Sequence, residues 1–196
     1  MERAMTAWAR LLCETREQRH RWLAEHHDTS RGIWLVTYQK NSGHPYLAYA
    51  DAVEEALCFG WIDSRPNALD GERSMRFFSP RRPRSAWSRL NKTRVARLIA
   101  EGRMADAGRA AIGRAKLNGA WALYDGVEEL TMPRGLASAF RQNVAAGAFF
   151  EAFSPSAKKH IYWWIESAKR LETRTKRIAE TVALAEENRK SNQYRK

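Results

Sequence analysis

The sequence predicts an α+β fold, with a small antiparallel sheet and helices followed by a C-terminal helical bundle. Residues 33–38 combine β-branched and aromatic side chains, which favours a strand. Two further apolar stretches flank Asp70-Gly71, a dipeptide suited to the tight turn of a hairpin. After Pro80 the apolar residues recur at helical spacing. Three strands with helices on one face bury enough surface to be stable.

The first half of the chain is expected to hold the sheet and the helices that cover it. Thr15 can cap a helix that begins at Arg16, and Gly60 can end the helix that precedes Trp61. Leu57 and Trp61 are assigned to the core because both are apolar and lie beside this short connection. In chain order we predict helices at 8–12 and 16–27, a strand at 33–38, a helix at about 50–59, and a hairpin that pairs 61–64 with 74–78.

The second half is expected to be helical throughout. Ser154-Pro155 is a strong start signal, since Ser caps helices and Pro favours the first helical position. A polar tail at 188–196 is expected to fray. We predict helices at 87–100 and 106–117, a linker at 126–133, and a bundle packed on Phe140, Phe149, Phe150, Trp164 and Ile178. The predicted domains are therefore 1–125 and 130–190.

The composition and charge indicate a folded protein with anionic partners. The chain has 196 residues, 44% of them hydrophobic, which is enough for one substantial core or two small ones. Thirty-four Lys and Arg against 22 Asp and Glu leave a net charge of +12, which favours anionic ligands. No stretch approaches the roughly 20 apolar residues that cross a bilayer, and the N-terminus lacks the apolar core of a signal peptide. A cytoplasmic location is the resulting prediction.

The sequence offers no pattern for a metal or a cofactor. Cys13 and Cys58 lie in apolar segments without Cys or His at metal-ligand spacing, so buried thiols are expected. His26 and His27 are adjacent and would point about 100° apart on a helix, which does not suit one ion. The glycine-rich signatures of dinucleotide and phosphate binding are absent. We therefore expect no metal and no cofactor.

The densest charge lies between Arg73 and Arg103, where ten Lys and Arg face a single acid, Glu101. Arginine predominates, and its planar fork suits phosphate or carboxylate. Trp87 and Phe78 can stack a ring, and polar groups near a helix start add donors. The predicted ligand-binding residues, which we call the Arg/Trp surface, are Trp61, Asp63, Phe78, Arg81, Arg84, Trp87, Ser88 and Asn91. The alternative is a solvated basic face with Trp87 in the core.

Asp63 and the C-terminal tryptophans each allow two interpretations. Asp63 follows an apolar pair, so it is either a structural partner of Arg76 or Arg81 or a general acid or base. No second positioned group accompanies it at catalytic spacing, so no catalytic residue is assigned.

Trp163 and Trp164 are adjacent on a basic helix, where one is expected in the core and the other is a candidate contact for a protein partner.

Four parts of the sequence resemble the YdeI/OmpD-associated, or bacteriocin-protection, family. They are 54–64, 76–81, 85–88 together with Asn91, and 162–170. The resemblance runs over nearly the whole chain. It implies that about 130–189 is the segment named for bacteriocin protection and association with an outer-membrane porin. These names imply a role in envelope stress, and the family supplies no catalytic residues to carry over.

Together these observations predict a cytosolic binding or stress-protection protein that engages an anionic ligand or partner through the Arg/Trp surface. One alternative is a nucleic-acid-binding module that uses the same residues, which a steep loss of affinity with rising salt would reveal. The other is an enzyme that acts on an anionic small molecule in a pocket bordered by Asp63 and Arg81. The resemblance does not decide among them, since one fold supports many functions.

Overall fold

The computed structural model describes residues 8–191, and the chain divides into two units after Ala122. The described part of the first unit combines a four-stranded sheet with helices, which confirms the predicted α+β class. The strands are β1 (Arg10–Leu12), β2 (Ile33–Tyr38), β3 (Trp61–Ala68) and β4 (Arg73–Pro80), in the sheet order β1-β2-β4-β3. The helices are α1 (Arg16–His26), α2 (Tyr49–Cys58), α3 (Arg89–Ala100) and α4 (Asp106–Leu117).

The sheet is mixed rather than purely antiparallel, because β1 stands where a helix is predicted and pairs parallel to β2. The pairing continues beyond the strand. The N–H of Trp34 donates to the carbonyl of Ala9 at 2.9 Å, and the N–H of Cys13 donates to the carbonyl of Val36 at 3.1 Å. These long-range backbone hydrogen bonds override the helical spacing of the local sequence. The predicted helix at 8–12 is therefore wrong.

The hairpin of β3 and β4 confirms the predicted turn. Asp70 Oδ1 accepts hydrogen bonds from the N–H groups of Glu72 and Arg73 at 3.0 and 2.7 Å, which closes the turn. The register shifts between Asp63 and Pro66, so an irregularity divides the β3–β4 pairing. Both predicted strand segments lie inside the longer observed strands, but 61–63 pair with 78–80, so the predicted pairing of 61–64 with 74–78 is only partly correct.

The core of the first unit lies between one face of the sheet and the helices. Leu35 and Phe78 supply buried side chains from β2 and β4. Leu57 of α2 and Trp61 of β3 are each 1% exposed, which confirms their predicted burial. The Nε1–H of Trp61 donates to the carbonyl of His27 at 3.0 Å, so the polar atom of this indole is satisfied.

A group of charges built around two buried glutamates connects α2 to α1 and to the α3 region. Arg16 of α1 donates to Glu54 at 2.9 Å and to Glu55 Oε1 at 2.5 Å. Arg103 contacts the same oxygen of Glu55 at 2.5 Å, and Arg97 of α3 pairs with Glu54. Both carboxylates are buried, and the guanidinium groups offset the cost of removing them from water. We call these five residues the ionic cluster.

The second unit is helical wherever it contains regular structure among its described residues. The Ser154 hydroxyl caps α8, and Pro155 occupies the first turn of that helix, as predicted. The helices are α5 (Asp125–Glu128), which lies in the predicted linker, α6 (Arg134–Gln142), α7 (Val144–Glu151), α8 (Pro155–Glu166) and α9 (Leu171–Glu186). Among residues 8–191, no helix is long and apolar enough to cross a membrane.

The core of the second unit is rich in aromatic residues. Phe140 and Phe150 are buried with their ring centroids 4.9 Å apart, and Trp164 and Ile178 pack against the same cluster. Phe149 is 42% exposed, so its predicted place in the core is wrong. The reason is helical geometry, since neighbouring side chains point about 100° apart and α7 turns Phe150 inward instead.

Two further expectations for this unit are corrected by the structure. Both adjacent tryptophans are partly buried, because Trp163 packs edge-on against Tyr124 and the Arg177 guanidinium lies 5.1 Å from the Trp164 ring centroid. The tail does not fray at residues 188–191, since the buried Ser191 hydroxyl lies 2.9 Å from that of Thr181. The rest of the predicted tail lies outside the described residues.

Both cysteines are expected to resist thiol reagents in the folded protein. Cys13 and Cys58 are buried and unpaired, and burial raises the pKa of each thiol to about 11. The reactive thiolate is therefore scarce near neutral pH. We expect iodoacetamide to label neither cysteine in buffer and both in concentrated guanidinium chloride, as counted by mass spectrometry. Rapid labelling of the folded protein would show that one of these thiols is accessible.

Candidate anion-binding site

The three predicted aromatic residues lie beneath the surface. The exposed fractions of Trp61, Phe78 and Trp87 are 1%, 0% and 1%. A ring buried to this extent presents no open face to a ligand. The structure therefore corresponds to the alternative in which Trp87 belongs to the core, and these rings do not act as exposed stacking platforms.

Asp63 is engaged by two neighbouring side chains. The Tyr49 hydroxyl donates to Asp63 Oδ2 at 2.9 Å, and Arg76 Nη1 donates to the same oxygen at 3.1 Å. The predicted ion pair between Asp63 and Arg76 is thereby confirmed. Burial and the nearby Asp63 charge raise the pKa of Tyr49, so its hydroxyl stays protonated and able to donate at neutral pH.

Ser88 and Asn91 organise the start of α3. The Ser88 hydroxyl accepts a hydrogen bond from the N–H of Asn91 at 3.3 Å, which caps the helix. The side-chain oxygen of Asn91 accepts from Arg94 Nη1 at 3.2 Å. Both predicted site residues thus have structural partners, and their contacts fix the end of the loop that follows β4.

Arg81, at the start of that loop, is the predicted residue whose surroundings point to an anion. It is 8% exposed, and its guanidinium lies 3.8 Å from the centroid of the Trp87 ring. Nη1 donates to the carbonyl of Ala86 at 2.9 Å and to the hydroxyl of Ser85 at 3.3 Å. Among residues 8–191, the buried Nε and Nη2 have no hydrogen-bond partner. These two atoms form an edge of the guanidinium that can donate to an oxyanion.

Arg81 also lines a small cavity whose charged lining residues are all positive. Arg82, Pro83 and Trp87 line it from the loop, and Arg114 lines it from α4 together with two alanines. No carboxylate occurs among the described lining residues. The volume is about 10 Å³, which is room for a single oxygen atom. Arg114 is absent from the predicted set because nothing in the linear sequence connects it with Arg81.

Burial sets the electrostatics of Arg81. It lowers the pKa of the guanidinium to about 10, while the nearby Asp63 charge acts in the opposite direction. The group therefore carries its charge at neutral pH. Arg19 is also fully buried and has no hydrogen-bond partner among the residues that the structure describes, but its guanidinium lies 4.8 Å from the Phe78 ring centroid and 5.6 Å from that of Trp22. Aromatic faces supply part of its stabilisation.

Much of the basic run between Arg73 and Arg103 is neutralised inside the molecule. Arg73 pairs with Asp70, and Arg97 and Arg103 belong to the ionic cluster. Arg84 differs, since it is exposed and forms no ion pair with any residue in the described range. The positive surface is consequently smaller than the sequence indicates, and it is concentrated near the loop that contains Arg81.

Two family models match the chain. Residues 11–111, about half of its length, match the model described as Domain of unknown function (DUF8412). The chain belongs to the DUF8412 family. Residues 129–188 match the model described as Bacteriocin-protection, YdeI or OmpD-Associated, which confirms the resemblance seen in the sequence. No curated protein and no solved structure matches the chain.

The candidate site belongs mainly to the DUF8412 match. Arg81, Arg82 and Trp87 lie inside this match, which ends at residue 111, just before Arg114. Three of the four stretches that resemble the bacteriocin-protection family also lie in it, and 162–170 lies in the YdeI/OmpD-associated segment. Between residues 8 and 191, no group of three or more His, Cys, Asp or Glu side chains could hold a metal ion.

Proposed function

We propose that this DUF8412 protein binds an anionic group of a larger ligand or partner at Arg81, and that it acts in stress protection by binding. One observation carries the proposal. The guanidinium of Arg81 is buried and fixed through Nη1, while its Nε and Nη2 have no hydrogen-bond partner within the described part of the chain. A buried donor without a partner costs about 1 to 3 kcal/mol, and more when it is charged, so a bound oxyanion gains more here than at an exposed arginine.

The size of the cavity defines what enters it. A volume of about 10 Å³ admits one oxygen of a carboxylate or phosphate, and the rest of the ligand must remain outside. Arg82 and Arg114 line the cavity and are exposed, so they can contact the other oxygens of the same group. The site therefore suits an anionic group carried by a larger molecule.

We infer binding rather than catalysis because the other predicted residues have structural partners. Ser88 caps α3, Trp87 supports the guanidinium, and Asp63 is engaged by Tyr49 and Arg76. The description of the family that matches 129–188 names bacteriocin protection, which is consistent with a role in stress. A cytoplasmic location remains part of this proposal.

Replacing the guanidinium of Arg81 while keeping its charge is expected to weaken anion binding. The variant Arg81→Lys retains a positive charge and an aliphatic stem over Trp87 but loses the Nε and Nη2 donors. We expect its affinity for inorganic phosphate, measured by isothermal titration calorimetry at constant ionic strength, to fall by about 1.5 to 3 kcal/mol per hydrogen bond lost. Arg109→Lys, at an exposed arginine of α4 that does not line the cavity, is the matched control and should bind phosphate as the wild type does.

The exposed Arg114 provides a second variant whose folding is not at risk. Arg114→Gln should also weaken phosphate, by a smaller amount, because it removes one charge beside the cavity. Equal phosphate affinities in the wild type, Arg81→Lys and Arg114→Gln would reject the site. A steep salt dependence with a labelled oligonucleotide that is lost in the same two variants would favour the nucleic-acid alternative.

A further inference from the structure

A second cavity, of about 270 Å³, is lined by β2, β4 and the start of α2. Its apolar lining includes Tyr46 and Tyr49, which are 44% and 47% exposed, and the buried Leu35, Leu47 and Ala52. This volume is just below the range of typical small-molecule sites and is comparable with a single substituted ring. None of its lining residues contributes to the cavity beside Arg81. The apolar surface suits the body of a small ligand.

The charged side chains that line this second cavity are positive. Arg76 and Lys40 line it, and no Asp or Glu occurs among its described lining residues. Arg76 is positioned by Asp63, 3.1 Å from its Nη1, and by the ring of Tyr49, whose centroid lies 4.4 Å from the guanidinium carbon. The hydrogen bonds of Arg76 to described residues all use Nη1, which leaves Nε and Nη2 for a ligand. A carboxylate fits this edge.

Two hydroxyl groups add hydrogen-bonding capacity on the sheet. Thr37 of β2 and Ser74 of β4 are opposite each other in the register, so both side chains stand on the same face. Both residues line the cavity, and neither hydroxyl is hydrogen-bonded to another residue within the described range. A polar substituent of a bound ligand can therefore reach a donor or an acceptor on the strands.

We propose that this cavity binds a small carboxylic acid with an aromatic or similarly flat apolar body. The carboxylate pairs with the open edge of Arg76, and the body lies against the accessible rings of Tyr46 and Tyr49. Lys40 at the exposed rim attracts the acid. This inference does not depend on the Arg81 site, since the two cavities share no lining residue.

Benzoate is the probe that tests this proposal, with benzyl alcohol as a neutral analogue of the same shape. Backbone amide shifts in NMR spectra of the full chain report weak binding and locate it. We expect saturable shifts of residues 35–40 and 74–78 with benzoate, and roughly tenfold or more weaker binding of benzyl alcohol, because the alcohol lacks the charge that pairs with Arg76.

Two variants and a control complete the test. Arg76→Gln should weaken benzoate by roughly tenfold or more and leave benzyl alcohol unchanged. Lys40→Gln alters an exposed side chain that does not support the fold, and it should weaken benzoate several-fold at low salt. Arg81→Lys should bind benzoate as the wild type does, so that the failure of one site is distinguishable from the failure of the other.

Three results would overturn the proposal. The first is an absence of benzoate-induced shifts at residues 35–40 and 74–78. The second is equal affinity for benzoate and benzyl alcohol. The third is wild-type benzoate affinity in Arg76→Gln; if that variant does not fold, undiminished benzoate binding by Lys40→Gln at low salt has the same meaning.

Discussion

Replacing Glu55 by alanine is expected to destabilise the protein by about 3 to 5 kcal/mol. The side chain is 2% exposed, and its Oε1 accepts from Arg16 and Arg103 at 2.5 Å each. Oε2 lies 2.7 Å from His20 Nδ1. Alanine would leave a cavity and remove the acceptor that two partly buried guanidinium groups share. Arg16 keeps Asp51 and Glu54, and Arg103 keeps Glu101, but breaking a buried ion pair is strongly destabilising. The midpoint of urea unfolding, followed by circular dichroism, measures this loss.

Asp51→Ala is the matched control for Glu55→Ala. Asp51 also lies on α2 and also pairs with Arg16, at 2.8 Å, but its side chain is 41% exposed. Its removal should cost less than about 1 kcal/mol, because Asp51 is itself exposed and Arg16 keeps its pairs with the buried Glu54 and Glu55. Similar unfolding midpoints for the two variants would show that burial does not govern the energetics of the ionic cluster.

Trp61→Ala should cost about 3 to 5 kcal/mol, the range for a fully buried aromatic side chain. The indole is 1% exposed, meets the ring of Trp22 edge-on at 5.7 Å, and donates to the carbonyl of His27 at 3.0 Å. Alanine removes the apolar volume and also leaves the carbonyl without this donor. The free energy of unfolding from chemical denaturation measures the effect.

Two other tryptophan variants serve as comparisons for Trp61→Ala. Trp61→Phe retains most of the apolar surface and loses the hydrogen bond, so it should be intermediate in stability. Trp8→Ala removes a ring that is 38% exposed and should cost less than Trp61→Ala. A wild-type unfolding midpoint for Trp61→Ala would contradict the assignment of this residue to the core.

Elements with strong local signals could be predicted from the sequence. Residues 33–38 form a strand as expected, Asp70 closes the predicted hairpin, and Ser154 caps a helix that Pro155 begins. Each of these results depends on side chains within a few positions of one another. The strand at 10–12 could not be predicted in this way, because its hydrogen-bond partners lie more than 20 residues further along the chain.

The candidate site could be predicted only in part, for the same physical reason. Arg81 was identified from its charge and its neighbours in sequence, but its burial and its contact with Trp87 depend on the folded loop. Arg114 reaches the cavity from α4. The burial of Glu54 and Glu55 was not expected either, since acidic residues near a helix start are usually exposed. Ion pairs with distant arginines offset the free-energy cost of that burial.

The ionic cluster joins residues that are far apart along the chain. Arg16 and Glu55 are separated by 39 residues, Arg97 and Glu54 by 43, and Arg103 and Glu55 by 48. Closing loops of this length costs entropy before any contact is gained. During synthesis Arg16 is already made when α2 is completed and can pair with both glutamates, whereas Arg97 and Arg103 follow their glutamate partners by 43 and 48 residues. Arg103 is therefore the earliest point in translation at which the ionic cluster can be complete.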